Sequence, residues 1–145
     1  MSQNLDYALR AVQDIVGRVE GIRSAPEYAT DKIPAGVWSM VLPDNGTYTQ
    51  EPVGVLKGLH NAVLYVYGPR IDLPKTLKQL IPLCDKVVAA LESEPTLLNT
   101  VETFGKISYI FNPSLNVGTA SAPAYVVGWT FTINDIKIQD TESIT

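Results

Sequence analysis

The segment from Gly58 to Thr100 most strongly constrains the fold, because a strand pattern in it runs directly into a helix pattern. Residues 59–67 are apolar on both sides in their second half, which is typical of a strand covered on both faces. Apolar residues then recur at three- and four-residue spacing, which predicts an amphipathic helix: Leu77, Leu80, Ile81, Cys84, Val87, Val88 and Leu91. This stripe needs an apolar surface to pack on, and the neighbouring strands supply it. The segment therefore predicts a sheet-and-helix unit, and it contains no catalytic motif.

The ends of this helix follow from its prolines and its acidic residue. Asp72 is placed to cap the N-terminus, and Pro74 falls in the first turn, where its missing N–H is not needed. Pro82 lies inside the pattern, where it removes a backbone hydrogen bond and costs about 3 kcal/mol if nothing compensates. We therefore expect the helix to be kinked or split at Pro82, and to stop before Pro95.

The remaining elements lie on either side of this unit. A helical stripe at the start of the chain comprises Leu5, Leu9, Val12, Ile15, Val16, Val19 and Ile22. Residues 37–42 predict a strand that ends at a turn over residues 43–46, because Asn-Gly readily adopts positive φ. Residues 106–111 predict a strand ended by Asn-Pro. Residues 125–138 alternate between an apolar and a polar face, which predicts a half-buried strand.

These elements predict an α+β fold in a single domain of residues 1–145. We expect an antiparallel or mixed sheet of about four to five strands, with two main helices on one face, since strands joined by short loops usually pair with each other. Residues 43–58 are expected to form an extended hairpin arm or a loop. The ordered core should span about residues 5–138, with a flexible tail at 139–145.

Composition and the rarity of reactive residues argue against several classes of protein. The formal net charge is −4, which disfavours a nucleic-acid binder. The chain has one cysteine and one histidine, His60, so a disulfide framework, a histidine-based metal site and a conventional catalytic triad are not indicated. Phosphate-binding glycine motifs, a signal peptide and an apolar run of about 20 residues are also not seen. We expect a soluble intracellular protein that is not an enzyme and needs no cofactor or metal.

Several residues are candidates for contacts with other subunits or partners. Trp38 and Tyr48 flank the predicted turn at residues 43–46, and the segment after it has little core of its own. Thr130 and Thr132 lie on the polar face of the last predicted strand. This face has three alternative roles: it meets water, it lines a lumen shared between subunits, or it pairs with a neighbouring subunit. The complete set of candidates is Trp38, Asn45, Tyr48, Gln50, Val53, Val55, Arg70, Asp72, Thr130 and Thr132.

The order of elements and two short motifs resemble the tail terminator, or tail completion, proteins of long-tailed bacteriophages. The motifs are Arg-Ile-Asp-Leu-Pro at residues 70–74 and Pro-Thr-Leu-Leu-Asn-Thr at residues 95–100, and the resemblance covers about residues 5–139. It implies a structural subunit of a hexameric ring that caps the tail tube, ends tube polymerisation and joins the tail to the head. The implied partners are further copies of the chain, the tail tube protein and the head-tail connector protein. The implied location is the head-proximal end of the virion tail, after assembly in the host bacterial cytoplasm.

Two other interpretations remain open. One keeps the phage setting but makes the chain a head-tail connector, neck or tube subunit. The other makes it a small α/β ligand-binding domain or enzyme with a pocket near His60, Tyr65 and Arg70, because these polar groups lie on one predicted strand and its exit.

Overall fold

A computed structural model describes residues 3–50 and 56–140, which form seven helices and strands. In chain order they are α1 (Leu5–Gly17), β1 (Trp38–Gln50), β2 (Leu56–Pro69), α2 (Leu73–Leu80), α3 (Leu83–Glu92), β3 (Ile107–Asn116) and β4 (Tyr125–Asp140). Asn4 caps α1 by accepting a hydrogen bond from the backbone N–H of Tyr7, at 2.8 Å.

The four strands form one antiparallel sheet in the order β1-β2-β4-β3. Val66, in the second half of β2, pairs with Ser39 of β1 and Trp129 of β4, and Trp129 in turn pairs with Phe111 of β3. The α+β prediction is confirmed. Within residues 3–50 and 56–140 the sheet has four strands, without the fifth that the sequence allowed.

All three helical segments contribute to one core on one face of the sheet. Side chains of alternate residues in β2 and β4, such as Leu64 and Phe131, lie fully buried against Val12 and Val16 of α1 and Leu91 of α3. This packing explains why α1 is stable although it ends at Gly17, since tertiary burial rather than helix propensity supports a helix of this length.

The predicted effect of Pro82 is confirmed, because the second helix is split into α2 and α3. The N–H of Cys84 turns to the carbonyl of Ile81, at 3.4 Å, instead of the carbonyl of Leu80. The indole N–H of Trp129 donates to that Leu80 carbonyl at 2.9 Å in the buried interior. The break in the helix is therefore compensated by a side chain of β4, which also ties the helices to the sheet.

The turn predicted at residues 43–46 is wrong. β1 continues through this segment with a bulge between Pro43, which pairs with Ala62, and Gly46, which pairs with His60. The bulge accommodates one extra residue of β1 while the strand keeps its direction, and a proline is tolerated there because it has no N–H to pair. The antiparallel pairing of β1 with β2 extends to Gln50 and Leu56, and residues 51–55 lie outside the described part.

The predicted end of the third strand at Asn112 is also wrong. β3 continues to Asn116, with a bulge between Asn112 and Leu115 that accommodates Pro113. β3 is an edge strand, so the missing N–H of Pro113 need not break the ladder.

The hairpin and the C-terminal strand are more regular than expected. Residues 46–50 pair continuously with residues 56–60, and β4 pairs with the same part of β2 out to residue 140. The segment predicted as an arm or loop therefore belongs to the sheet over these residues. Gln139 pairs with Lys57 where a flexible tail was expected to begin, and residues 141–145 lie outside the described part.

Candidate interaction surfaces

One side of the sheet faces away from the helices, and we call it the open sheet face. Its central rows comprise Leu42, Val63, Tyr65, Ser108, Ile110, Thr130 and Thr132, none of which is charged. Leu42 is 44% exposed and Ile110 is 66% exposed, while the predicted contact residues Thr130 and Thr132 are half-buried. The arrangement is an uncharged, mixed apolar and hydroxyl-bearing surface across all four strands.

A small apolar cluster closes one end of this face. Its buried members are Trp38, Met40, Tyr67 and Val126, and Trp38 stacks on Tyr67 with ring centroids 5.7 Å apart. Trp38 is only 4% exposed, so this predicted contact residue supports the surface from within and offers little area to a partner.

The hydroxyl of Tyr67 links that cluster to the rows beside it. It lies 2.5 Å from Oγ1 of Thr130 and accepts a hydrogen bond from the side-chain amide of Asn112 at 2.8 Å. These contacts hold side chains of β2, β4 and β3 in one network, which fixes the position of the Thr130 hydroxyl.

The candidates on β1 that the structure describes at and beyond the bulge are exposed. Asn45 protrudes at the bulge and accepts a hydrogen bond from the side-chain amide of Asn61 at 2.5 Å. Tyr48 is 57% exposed, and Gln50 is exposed at the end of β1. The other two hairpin candidates, Val53 and Val55, lie outside the described residues.

His60 is buried on the helix-facing side of the hairpin. Its ring lies edge-on to Tyr48, 4.9 Å between centroids, and a β-carbon at Gly46 or Gly58 would collide with its ring atoms. Its Nε2 has no hydrogen-bond partner among the described residues, and burial lowers the pKa of the imidazole below its usual value of 6.5. Glycine at these two positions therefore provides the space in which a neutral imidazole packs.

The pocket suggested near His60, Tyr65 and Arg70 is not formed. His60 faces the helices and Tyr65 lies on the open sheet face, because side chains of a strand alternate in direction. Arg70 follows the opposite end of β2, roughly 33 Å from His60 at the usual rise per strand residue.

Arg70 and Asp72 lie at the exit of β2. The Nε–H of Arg70 donates to the carbonyl of Pro113 at 2.9 Å, and Asp72 caps α2, as predicted, by accepting from the N–H of Lys75 at 3.4 Å. Between them, Ile71 is 93% exposed. Ile71 is therefore the most solvent-exposed of the large apolar side chains described at this end of the sheet.

The sequence interpretation missed the exposed side chains of β3. Tyr109 is 57% exposed, and its ring lies 5.2 Å from that of Trp129, so it extends the aromatic core to the sheet edge. The sequence contained one signal for an interaction surface here, since residues 107–116 include no charged residue. Edge strands that stay in water usually carry charged side chains, and β3 is an edge strand.

A second missed feature is a left-handed turn after α3. Leu97, Leu98 and Asn99 have φ values of 46°, 57° and 66°, a conformation that β-carbons disfavour. The turn buries Leu97 completely and returns the chain to the sheet. Asn99 was its one sequence signal, since asparagine tolerates this region.

One cavity is lined by none of the predicted contact residues that the structure describes. It has a volume of about 660 Å³ and lies beside α1, between Tyr7, Gln13 and Leu98. Arg10 lies in its wall, with Glu27 at 3.0 Å and Asp6 at 3.2 Å, and the hydrogen bond to Glu27, together with the charge of Asp6, raises the pKa of its guanidinium. Asp14, another residue of the wall, pairs with Arg18 at 2.6 Å, so each charged side chain of the cavity already has a partner of opposite charge.

Neither the models of known protein families nor the curated protein sequences include a match to this chain. Among the residues that the structure describes, no group of three or more His, Cys, Asp or Glu side chains is placed to hold a metal ion. No helix within these residues has the length and apolar character to cross a membrane.

Proposed function

We propose that this chain is a structural virion protein, the tail terminator of a long-tailed bacteriophage. Copies of the chain close into a ring at the head-proximal end of the tail. The ring caps the tail tube, stops further addition of tube protein and docks to the head-tail connector. The proposal extends the sequence resemblance, and the α+β fold with its helices on one sheet face is compatible with it.

The observation that carries the proposal is the open sheet face together with the uncharged edge strand β3. Ile110 and Tyr109 are 66% and 57% exposed, and Ile107–Asn116 has no lysine or glutamate to oppose association. Exposed apolar patches and strand edges without charged side chains mark interaction sites in soluble proteins. The bulge and Pro113 interrupt the edge of β3 only after Asn112, so residues 107–112 remain available for pairing. A surface of this kind suits a subunit that is buried against neighbours in its working state.

A closed ring requires heterologous contacts, in which one patch of a subunit meets a different patch of the next. The sheet offers two different borders for such contacts, β1 and β3, on opposite sides of β2 and β4. The hairpin end of β1 carries the exposed Tyr48, and β3 carries the exposed Ile110. We assign the contacts between neighbouring subunits to these two borders.

The first test is the mass of the purified chain by native mass spectrometry. A ring of about six copies has a mass of roughly 95 kDa, from 15.8 kDa for each chain. Ile110→Asp should convert the ring to smaller species, because it places a charge in the proposed contact. Ile81→Asp is the matched control, since Ile81 is 57% exposed between α2 and α3, on the helical layer. A wild-type monomer at high concentration contradicts the proposal.

The second test distinguishes a tail terminator from virion proteins with other structural roles. Deleting the gene from its phage should give overlong tails in electron micrographs, because nothing then stops tube growth. Tails of normal length that are not attached to capsids would instead indicate a head-tail connector or neck protein. Normal phage particles would exclude both.

A further inference from the structure

A groove at one end of the sheet, which we call the end groove, lies where β1 begins and β2 ends. It has a volume of about 310 Å³, and its walls are formed entirely by uncharged residues, among them Ile33, Trp38, Val117 and Tyr125. Ile71 stands at its rim with 93% of its surface exposed. One small surface thus carries an apolar knob and an apolar hole side by side.

One positive and one negative side chain lie on either side of Ile71. Arg70 and Asp72 flank Ile71, both are exposed, and neither forms an ion pair with another described residue. The whole chain has a net charge of −4, but these two charges cancel. A strongly charged partner gains nothing from such a patch, whereas a copy of the same patch meets it without like-charge repulsion.

We propose that the end groove binds a second copy of this chain through a two-fold contact. Ile71 of each copy fills the groove of the other, and Arg70 of each copy faces Asp72 of the other. A two-fold interface requires self-complementarity, in which the same two features meet twice. The adjacent knob and hole and the adjacent positive and negative charges meet this requirement.

This contact goes beyond the proposed ring, which uses the borders of the sheet. It joins copies in pairs, so a ring-forming chain would form two rings facing each other, and a chain without rings would form a dimer. The two-fold contact and the ring can therefore succeed or fail independently.

The first test compares the full-length wild type with Ile71→Asp by native mass spectrometry and sedimentation. Ile71→Asp should weaken the two-fold association about thirtyfold, which corresponds to about 2 kcal/mol, the usual loss at a hot-spot side chain. Its particle mass should fall to half that of the wild type. Ile81→Asp, the same substitution at another exposed isoleucine, should leave the mass unchanged.

The second test uses charge reversal. Arg70→Asp gives each copy two acidic groups beside Ile71, and Asp72→Arg gives each copy two basic groups, so each variant alone should fail to pair. Mixed together, the two variants should form one-to-one complexes, and raising the salt concentration should weaken them. Circular dichroism checks that Asp72→Arg remains folded, because Asp72 caps α2.

The outcomes separate this proposal from the ring. A mass that halves in Ile71→Asp, from two rings to one or from dimer to monomer, supports the two-fold contact; the dimer result also contradicts the ring. A single ring that Ile71→Asp leaves unchanged overturns the two-fold contact alone. A wild-type monomer overturns both the two-fold contact and the ring. Failure of the charge-reversed variants to complement each other overturns the assigned pairing of Arg70 with Asp72.

Discussion

Gln13 provides the most direct test of how α1 is fastened to the sheet. It is a helix residue with only 2% of its surface exposed, on the side of α1 that faces β1. Its side-chain amide donates to the carbonyls of Pro26, at 2.6 Å, and of Ser39, at 3.0 Å. The hydroxyl of Ser39 donates back to the amide oxygen of Gln13 at 3.1 Å. One buried side chain thus joins α1, the following connector and β1.

The substitution Gln13→Leu removes all three hydrogen bonds and keeps a side chain of similar length. At about 1 kcal/mol for each bond, the free energy of unfolding should fall by about 3 kcal/mol. Ser39→Ala removes one of the bonds and should cost about 1 kcal/mol. In the Gln13→Leu background the Ser39→Ala cost should largely disappear, which gives a coupling energy of about 1 kcal/mol.

Urea and thermal unfolding measure these values, at one fixed protein concentration because any association shifts the apparent stability. A loss of 3 kcal/mol corresponds to a fall in Tm of about 6–12 °C for a chain of this size. Gln79→Leu, at an exposed position of α2, is the control and should change stability by less than about 0.5 kcal/mol. Additive effects of Gln13→Leu and Ser39→Ala, or a loss below 1 kcal/mol for Gln13→Leu, would refute the reasoning.

Two further predictions concern the left-handed turn and the buried imidazole. Asn99→Ala should be about 1 kcal/mol less stable than Asn99→Gly in urea unfolding, because at a φ of 66° a β-carbon is disfavoured and asparagine is tolerated; the reverse order would show that φ does not control this position. Burial lowers the pKa of His60 in the folded state, so the unfolded chain binds the proton more readily. The contribution of His60 to stability is therefore complete above the pKa of the unfolded state, near 6.5, and declines as the pH falls below that value. The difference in unfolding free energy between the wild type and His60→Gln should therefore shift against the wild type between pH 7 and pH 5, and a difference independent of pH would contradict the buried, neutral state of the ring.

The candidate surfaces illustrate where sequence reasoning was sufficient and where it stopped. Asp72 was predicted as a cap and lies at the cap position, because capping depends on residues only three apart. Trp38 was predicted at a contact surface and is buried, because the partner that covers it, Tyr67, lies far along the chain and meets it only when β1 and β2 pair. Ile71 was not singled out, since whether an isoleucine is exposed depends on what packs around it.

The chain's own order of residues determined the features that depend on near neighbours: the periodicity of the helices and of β4, the break at Pro82 and the caps at Asn4 and Asp72. Tertiary structure alone decided that Pro43 lies in a bulge instead of a turn, since the pairing of β2 with both of its neighbours holds the hairpin in register past that point. It also decided which side of the sheet stays open. Local preferences act over a few bonds, whereas a strand's partners and the cover of its two faces are set by contacts between residues tens of positions apart.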